Sequence, residues 1–462
     1  MSAPDAGPWM ATLDALSAWT LPVDGWIVAI GILASAACAV PGTMLAVRRE
    51  SMLGDALSHA VLPGIAAAFL LSGTRNAAWM GIGALAAGAA LGIGVDVLHR
   101  RLRVERGTAL GVAYTVLFAL GLVVMVRAAD TVDLDPSCVL FGALELAPLD
   151  DVMVAGWRVP SAVPTLAVTV LLNVVLAATF WRSMVASSAD PSYAAASAAR
   201  PGIAAAVVWT MSAATAVACF QSVGSIMVVA LLAVPAATAR LLTDRLAVMV
   251  PMAFVVGAVG AVLGHVLATA GPAALGLGTL GIRECSTAGA IGVSLGALFV
   301  GAALLAPERG ALVRLVRRVR HGFSVAREDA IGLAWRDEED GAGPSAVSAL
   351  AARVSRASGA ARPVAWLAVR RAVAHGELAI DREGRAGLTA QGRARARDLV
   401  RSHRLWEAFL QTALGLPADH VHPTAMRLEH LTDDPMRSRL RTAGAEHGHR
   451  DPHGRPIPPA QD

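Results

Sequence analysis

From position 26 to position 306 the chain is a succession of apolar runs, and most of its charged residues come only afterwards. A bilayer's hydrocarbon core takes about 20 helical residues to cross. With no water inside it, every backbone N–H and C=O must be satisfied within the protein. Hydrophobic residues make up 55% of the 462, and the runs divide into candidate spans at roughly 26–47, 55–72, 77–98, 108–127, 161–181, 202–219, 222–239, 247–270 and 285–306. The expected fold is an all-α polytopic membrane bundle of about eight or nine transmembrane helices over 26–310. An N-terminal segment, 1–25, precedes it, and a basic juxtamembrane linker, 311–323, leads into a soluble tail.

Short loops rich in positive charge stay in the cytoplasm. Arg48 and Arg49, the run Arg100 to Arg103, Arg182 with Arg200, Arg240 with Arg245, and Arg314 to Arg320 fall in alternate loops. The loops near 73–76, 128–160 and 271–284 carry far less positive charge, and the second includes Asp130, Asp133 and Asp135. Nine spans then place the N-terminus outside and the tail inside. The first 25 residues contain no Arg, which agrees, and they lack the charged start and sustained apolar core of a cleaved signal peptide. The formal charge of +4 says little about partners, because arginines at span ends account for much of it.

The stretch Arg49 to Leu71, R-E-S-M-L-G-D-A-L-S-H-A-V-L-P-G-I-A-A-A-F-L-L, puts Asp55 and His59 four residues apart at the start of an apolar segment. On an α-helix that is about 400° of rotation and about 6 Å of rise, so the two side chains share a face and can grip one ion. A carboxylate at the centre of a membrane helix costs roughly 2.5–3.5 kcal/mol on insertion scales, which marks such a residue as functional. The structural alternative is a helix-start aspartate complementing the dipole, beside a histidine satisfied by a carbonyl. His265 and Asp96 are further intramembrane candidates, read as structural or interfacial. Pro63, Pro235 and the glycine-rich spans allow kinks and close helix packing, as in many bundles. Cys38, Cys138, Cys219 and Cys285 are isolated, and read as small packing residues.

The chain contains no lysine at all, so it cannot form the phosphate loop G-x-x-x-x-G-K-[ST]. Any ATPase must be another chain. The segment 182–201, W-R-S-M-V-A-S-S-A-D-P-S-Y-A-A-A-S-A-A-R, could contact one: Asp190 is suited to cap a short helix with Pro191 at its first position. An ordinary loop is the alternative.

Arg48 to Leu71 resembles the signature of the ABC-3 type permeases, the zinc, manganese and iron importers whose second helix carries G-D-A-x-S-H-A-V-L-P-G. Gln221 to Leu246 is similar to the family's late helix, and Ala288 to Gly310, ending L-L-A-P-E-R-G, to its last span and exit. The resemblance covers about 26–310. It implies a multi-pass subunit of the bacterial cytoplasmic (inner) membrane, with no enzyme activity and no tightly bound cofactor. The implied partners are a separate ATP-binding subunit, an extracytoplasmic metal-binding protein, and a second permease subunit in a homodimer or heterodimer. It also implies that Asp55 and His59 line the translocation path, and that the segment with Asp190 and Pro191 docks on the ATPase. Imidazole with carboxylate suits Mn, Fe or Zn better than Ca or Mg. An ion-coupled secondary transporter is a further possibility, but internal repeats and a richer set of intramembrane charges are missing.

After Pro307 the basic stretch R-L-V-R-R-V-R-H would lie near anionic lipid headgroups. From Ser324 the pattern is soluble and helical: R-E-D-A-I-G-L-A-W-R-D-E-E as a first helix, D-G-A-G-P-S as a loop, then V-S-A-L-A-A-R-V and P-V-A-W-L-A-V-R-R-A-V-A-H-G, closed by Gly376. E-L-A-I-D-R-E-G-R-A-G-L-T-A-Q-G reads as a hairpin or wing. Residues 324–392 are thus a winged helix-turn-helix arrangement whose third helix carries Arg370 and Arg371, candidates for DNA contact. Thr389 to His430 and Asp451 to Pro458 resemble the iron- and manganese-dependent repressors of the diphtheria-toxin-repressor type, which makes 393–462 a metal-binding and dimerisation region. Nine of the twelve histidines lie from His321 onward. His403 and Glu407, at i and i+4, with His422, Met426, Glu429 and His430, match that family's metal positions, and Asp329 matches the manganese-type sensors. Two departures stand out: Met426, a weak thioether ligand, replaces the Cys or Glu of those sensors, and Gly332 replaces a second carboxylate. The readings of the tail are, in order, a metal-responsive regulator of transport, a dimerising module, and a membrane-anchored transcription regulator.

Overall fold

The computed structural model describes residues 17, 19–20, 22–50, 52–73, 77–129, 144–189, 194, 196, 201–274, 285–444 and 450–459. It contains two compact units, Met1–Val313 and Arg314–Asp462.

The first unit is a bundle built on α1 (Asp24–Val47), which packs against α6 to α9. Around it run α2 (Leu53–Ala60), α3 (Leu62–Ser72), α4 (Ala77–Arg100) and α5 (Arg106–Ala129), then α6 (Ala162–Ala189), α7 (Pro201–Val223), α8 (Ser225–Leu242), α9 (Leu246–Ala274) and α10 (Thr287–Leu305). Of the most apolar stretch of α1, 72% is buried, against 17% for α5, so α1 is the axis and α5 lies on the outside of the bundle. Buried polar groups tie the axis to its neighbours: Asn173 Nδ2 donates to the Ala37 carbonyl at 2.9 Å and to Thr215 Oγ1 at 2.7 Å.

All nine apolar runs are helical, but only seven helices among the described residues are long and apolar enough to cross a membrane. The run 55–72 is divided between α2 and α3 at Val61. Pro63 has no N–H to offer the His59 carbonyl four residues back, which permits the helix to break there. The run 222–239 is a shorter helix because Gly224, at φ +82°, separates α7 from α8. α6 runs on to Ala189, well past the expected span end, so 182–201 begins as helix and not as loop. Asp190 and Pro191 lie outside the described residues. The loop 128–160 holds an unforeseen hairpin, β1 (Asp151–Val154) with β2 (Trp157–Pro160). Its turn residues, Ala155 at φ +52° and Gly156 at φ +87°, are both left-handed, as a tight two-residue turn requires. Cys38 and Cys219 are buried, as packing residues should be, whereas Cys285 is exposed ahead of α10; Cys138 is outside the described residues.

α3 and α4 meet through glycines. A Cβ on Gly64 would sit 2.0 Å from the Gly83 carbonyl oxygen, and one on Gly83 would sit 2.2 Å from that of Gly64. Gly83→Val is therefore expected to destabilise the bundle by about 3 kcal/mol or more, since backbone cannot yield as a side chain does. Gly81→Val, two residues earlier on the same helix with nothing within 4 Å of the added Cβ, should be neutral. Thermal melting of the two purified variants checks this, and equal midpoints would show that the close approach does not matter.

α11 (Ala311–Glu339) begins three residues before the second unit and runs into it, so the expected linker 311–323 forms the first turns of that helix. β3 (Ser345–Ala346), α12 (Val347–Ser358), α13 (Arg362–Ala374), β4 (Leu378–Ile380) and β5 (Arg385–Leu388) follow. The strands form one antiparallel sheet in the order β3-β5-β4, so the expected loop ends at Pro344 and Ser345 joins the wing. Ala326, Ala330, Ile331, Leu350, Val369 and Leu378 close the core between helices and wing. α14 (Ala390–Leu414) starts at Thr389, whose Oγ1 accepts from the Gly392 N–H at 3.0 Å, and α15 (Ala418–Leu428), a 3₁₀ turn at Glu429–Leu431 and α16 (Asp434–Gly444) complete it.

Candidate metal centres

The first unit's candidate is on α2. The turn that leads into it, with Arg49 at φ +60°, is held by Glu50, which pairs with Arg106 at 2.7 Å and accepts from Trp209 Nε1 at 3.4 Å. α2 then packs against α4, α5, α7 and α8. Asp55 Oδ1 lies 3.6 Å from His59 Nε2, and both side chains are partly exposed. Tyr114 and Phe118 of α5 flank the imidazole, with ring centroids at 6.4 and 5.2 Å. These rings fix the imidazole plane, leaving Nε2 beside the carboxylate. His265 and Asp96 stand apart from this pair. His265 is buried with Nε2 3.0 Å from Asp24 Oδ1 and its ring 4.8 Å from that of Trp19, while Asp96 pairs with Arg100 at 2.6 Å on an exposed helix end.

In the second unit, two groups of three possible ligands occur among the described residues: His403, Glu407 and His422; and Asp329, Glu429 and His430. α14 supplies His403 and Glu407 one turn apart, α15 supplies His422, the 3₁₀ turn supplies Glu429 and His430, and α11 supplies Asp329. In the first group, His403 Nε2, His422 Nδ1 and Glu407 Oε1 form a triangle with edges of 3.0, 3.0 and 2.8 Å. Ligands about 2.0–2.2 Å from a common ion are themselves roughly 3 Å apart, so this donor set fits one. In the second group, His430 Nε2 is 3.2 Å from Asp329 Oδ1 and 3.6 Å from Glu429 Oε1. Glu429 touches both groups, because its Oε2 lies 2.5 Å from His403 Nδ1. Met426 and Gly332 line a narrow cavity with Asp329 and Glu429, so the thioether stands beside the second group and the glycine leaves space there.

Charge in this cluster is balanced by protons. Burial opposes a charged His430, yet its hydrogen bonds to Asp329 and Glu328 and the charges of Glu429 and Asp329 raise its pKa to about 10. Burial likewise opposes ionised Glu407, but hydrogen bonds from His403 and His422 bring its pKa down to about 2. Burial lowers the pKa of His403, and its bonds to Glu407 and Glu429 overcome this to leave it raised.

Two contributors escaped sequence reasoning. Glu328 holds His430 Nδ1 at 2.8 Å and so orients the ring, as outer carboxylates orient metal-binding histidines. His453 reaches to 3.8 Å from Glu407 Oε1. It is carried there by the C-terminal segment, which Arg401 and Arg404 bind by donating to the carbonyls of Pro458 and Pro456 at 2.7 Å each. The signals were present as the acidic neighbour in R-E-D and the histidine in D-P-H-G. Arg370 and Arg371 are exposed on α13, with guanidinium carbons 4.6 Å from the Trp366 ring centroid and 5.8 Å from that of Phe323.

Residues 25–277 match the model of the ABC 3 transport family. The chain belongs to that family. It is 36% identical over 295 residues to the manganese transport system membrane protein MntD of Bacillus subtilis, covering 64% of this chain and 96% of that protein. It is 32% identical over 209 residues to the zinc transport system membrane protein TroD of Treponema pallidum, covering 45% and 57%. It is 28% identical over 242 residues to the chelated iron transport system membrane protein YfeC of Yersinia pestis, covering 52% and 75%. Residues 389–459 match a second model, the iron dependent repressor metal binding and dimerisation domain. The ABC 3 chain is thus a multi-pass membrane protein extended by a repressor-like tail, as the segment around Asp55 and the histidine-rich tail lead one to expect.

Proposed function

We propose that this chain is the membrane permease subunit of an ATP-driven importer of a divalent transition-metal ion, Mn, Zn or Fe, with a cytoplasmic tail that responds to the same class of ion. The observation that carries this is the Asp55–His59 pair, a carboxylate and an imidazole on one helix face of an ABC 3 family chain. A substrate ion leaving water needs replacement ligands, and two of them bind it weakly enough for release. Water, the His59 carbonyl left without the Pro63 N–H, or a second permease subunit would complete its shell. The relatives carry manganese, zinc and chelated iron in their names, and one donor pair serves all three metals. Without lysine the chain depends on a separate ATP-binding subunit, for which the segment with Asp190 and Pro191 is the proposed dock, and an external metal-binding protein would deliver the ion.

In the tail, His403, Glu407 and His422, and Asp329, Glu429 and His430, are the proposed ligand groups, with Met426 as a weak soft donor. An ion bound there supplies positive charge that replaces the protons on His403 and His430. The residues themselves join α11, α14, α15 and the 3₁₀ turn, so their arrangement responds to that charge. A membrane-anchored repressor is less well supported. A helix that reads base edges presents hydrogen-bonding groups, whereas α13 exposes Val364, Trp366 and Leu367, and lays Arg370 and Arg371 over aromatic rings.

The test is uptake of radioactive Mn, Zn and Fe by cells expressing the chain with its ATPase, comparing the full protein with one truncated after Arg320. The truncated protein should still transport, but its uptake should no longer fall as internal metal rises. Identical regulation in both would remove the sensor role, and no uptake by either would remove the permease reading.

A further inference from the structure

The opening turns of α11 carry an apolar stripe that the described residues of the second unit leave uncovered. Leu312, Leu315, Val316 and Val319 are exposed, at 47%, 55%, 46% and 60%. At about 100° per residue, these four fall within an arc of about 100°, and Phe323, on the same arc, already packs against the core of the second unit. Arg314, Arg317 and Arg318 lie on the opposite side and Arg320 on the flank, and no acidic residue occurs between Glu308 and Glu328. The same arc continues through Ala326, Ala330 and Ala334, which are buried in the core of the second unit. One face of one helix is therefore a core face at its C-terminal half and a bare apolar face at its N-terminal half. The end of the last span, Leu305, is only six residues before Ala311.

We propose that residues 311–323 of α11 lie in the headgroup layer of an anionic bilayer, with the apolar stripe toward the acyl chains and the guanidiniums on lipid phosphates. An apolar face opposed by a basic one is the pattern of helices that lie in the membrane interface, and arginines beside a span are drawn to anionic lipid. A seam between two copies would instead use flanking charges of both signs, and here every charge is positive. Because α11 also carries Glu328 and Asp329, lipid contact and the second ligand group share one helix. This goes beyond the transport reading and does not depend on it.

The test uses the full chain in nanodiscs of pure phosphatidylcholine and of phosphatidylcholine with phosphatidylglycerol, in a Cys138→Ser, Cys285→Ser background. An environment-sensitive NBD label is placed at Leu315→Cys, Val319→Cys or Arg318→Cys. In phosphatidylglycerol discs the labels at 315 and 319 should show blue-shifted emission and resist dithionite, while the label at 318 should do neither. Changing Arg314, Arg317 and Arg320 to Gln should abolish that protection. Equal dithionite access at all three positions would overturn the proposal. So would equal protection in uncharged discs, or protection accompanied by energy transfer between labels on two copies, which would make the stripe a seam between chains.

Discussion

Uptake of Mn, Zn and Fe is expected to vanish in Asp55→Asn and in His59→Ala, with each variant reaching the membrane in normal amount. Loss of a group that merely orients a metal ligand costs about 10–100-fold in affinity or activity. Removing one of two proposed ligands should exceed that, leaving uptake below roughly one hundredth of the original. Folding should be spared, because Asn keeps the shape of Asp55, whose side chain is 44% exposed. His59→Ala vacates space between Tyr114 and Phe118, so His59→Gln, which fills more of it, is the companion variant and should be equally inactive. Radioactive uptake beside quantified membrane protein checks both. Uptake within twofold of the parent in both Asp55→Asn and His59→Gln would refute the site.

What could be read from the chain depended on how local its cause was. The apolar runs betray helices because each span satisfies its own backbone, and all nine are helical. Their breaks were written in single residues whose effect depends on context. Pro63 and Gly224 each stand inside an apolar run, where a proline or glycine can equally be tolerated by neighbours, and only packing decides that the helix ends. The hairpin at 151–160 stayed hidden because its turn is Ala155-Gly156, and Ala at a left-handed position is not the usual signal. In the tail, composition suggested a break between a basic linker and a soluble helix, but charge alone does not end a helix, and α11 runs through both.

The candidate ligands divide in the same way. Asp55 with His59, and His403 with Glu407, are one helical turn apart, so the sequence places each pair on one face without knowledge of the fold. The joining of His403 to Glu429, of Glu328 to His430, and of His453 to Glu407 depends on how α11, α14, the 3₁₀ turn and the C-terminal segment pack. No periodicity records that. Arg401 and Arg404 show why: in sequence they are two more charges on a polar helix, yet they are buried and hold the segment that brings His453 in.

Glu429→Gln should remove metal binding from both groups of the tail, whereas Glu407→Gln should remove it from one. Glu429 presents Oε1 to His430 and Oε2 to His403, so its charge is shared, while the contacts of Glu407 among the described residues are with the histidines of the first group and His453. Gln keeps an oxygen that can accept from His403, so the buried imidazole is not left without a partner and the fold should hold. What is lost is the negative charge, worth more than about a hundredfold in affinity at the second group, where Glu429 is a proposed ligand, and about 10–100-fold at the first, where it orients His403 through Nδ1. Calorimetric titration of Mn or Zn into the full chain, in an Asp55→Asn background that silences the path, reads this as stoichiometry. With two groups present, the parent should bind two equivalents tightly, Glu407→Gln one, and Glu429→Gln none. One tight equivalent remaining in Glu429→Gln would mean that the carboxylate serves a single group and that the two respond to metal independently. Two remaining in Glu407→Gln would mean that the triangle of His403, His422 and Glu407 is a hydrogen-bonded packing motif with no ion to hold.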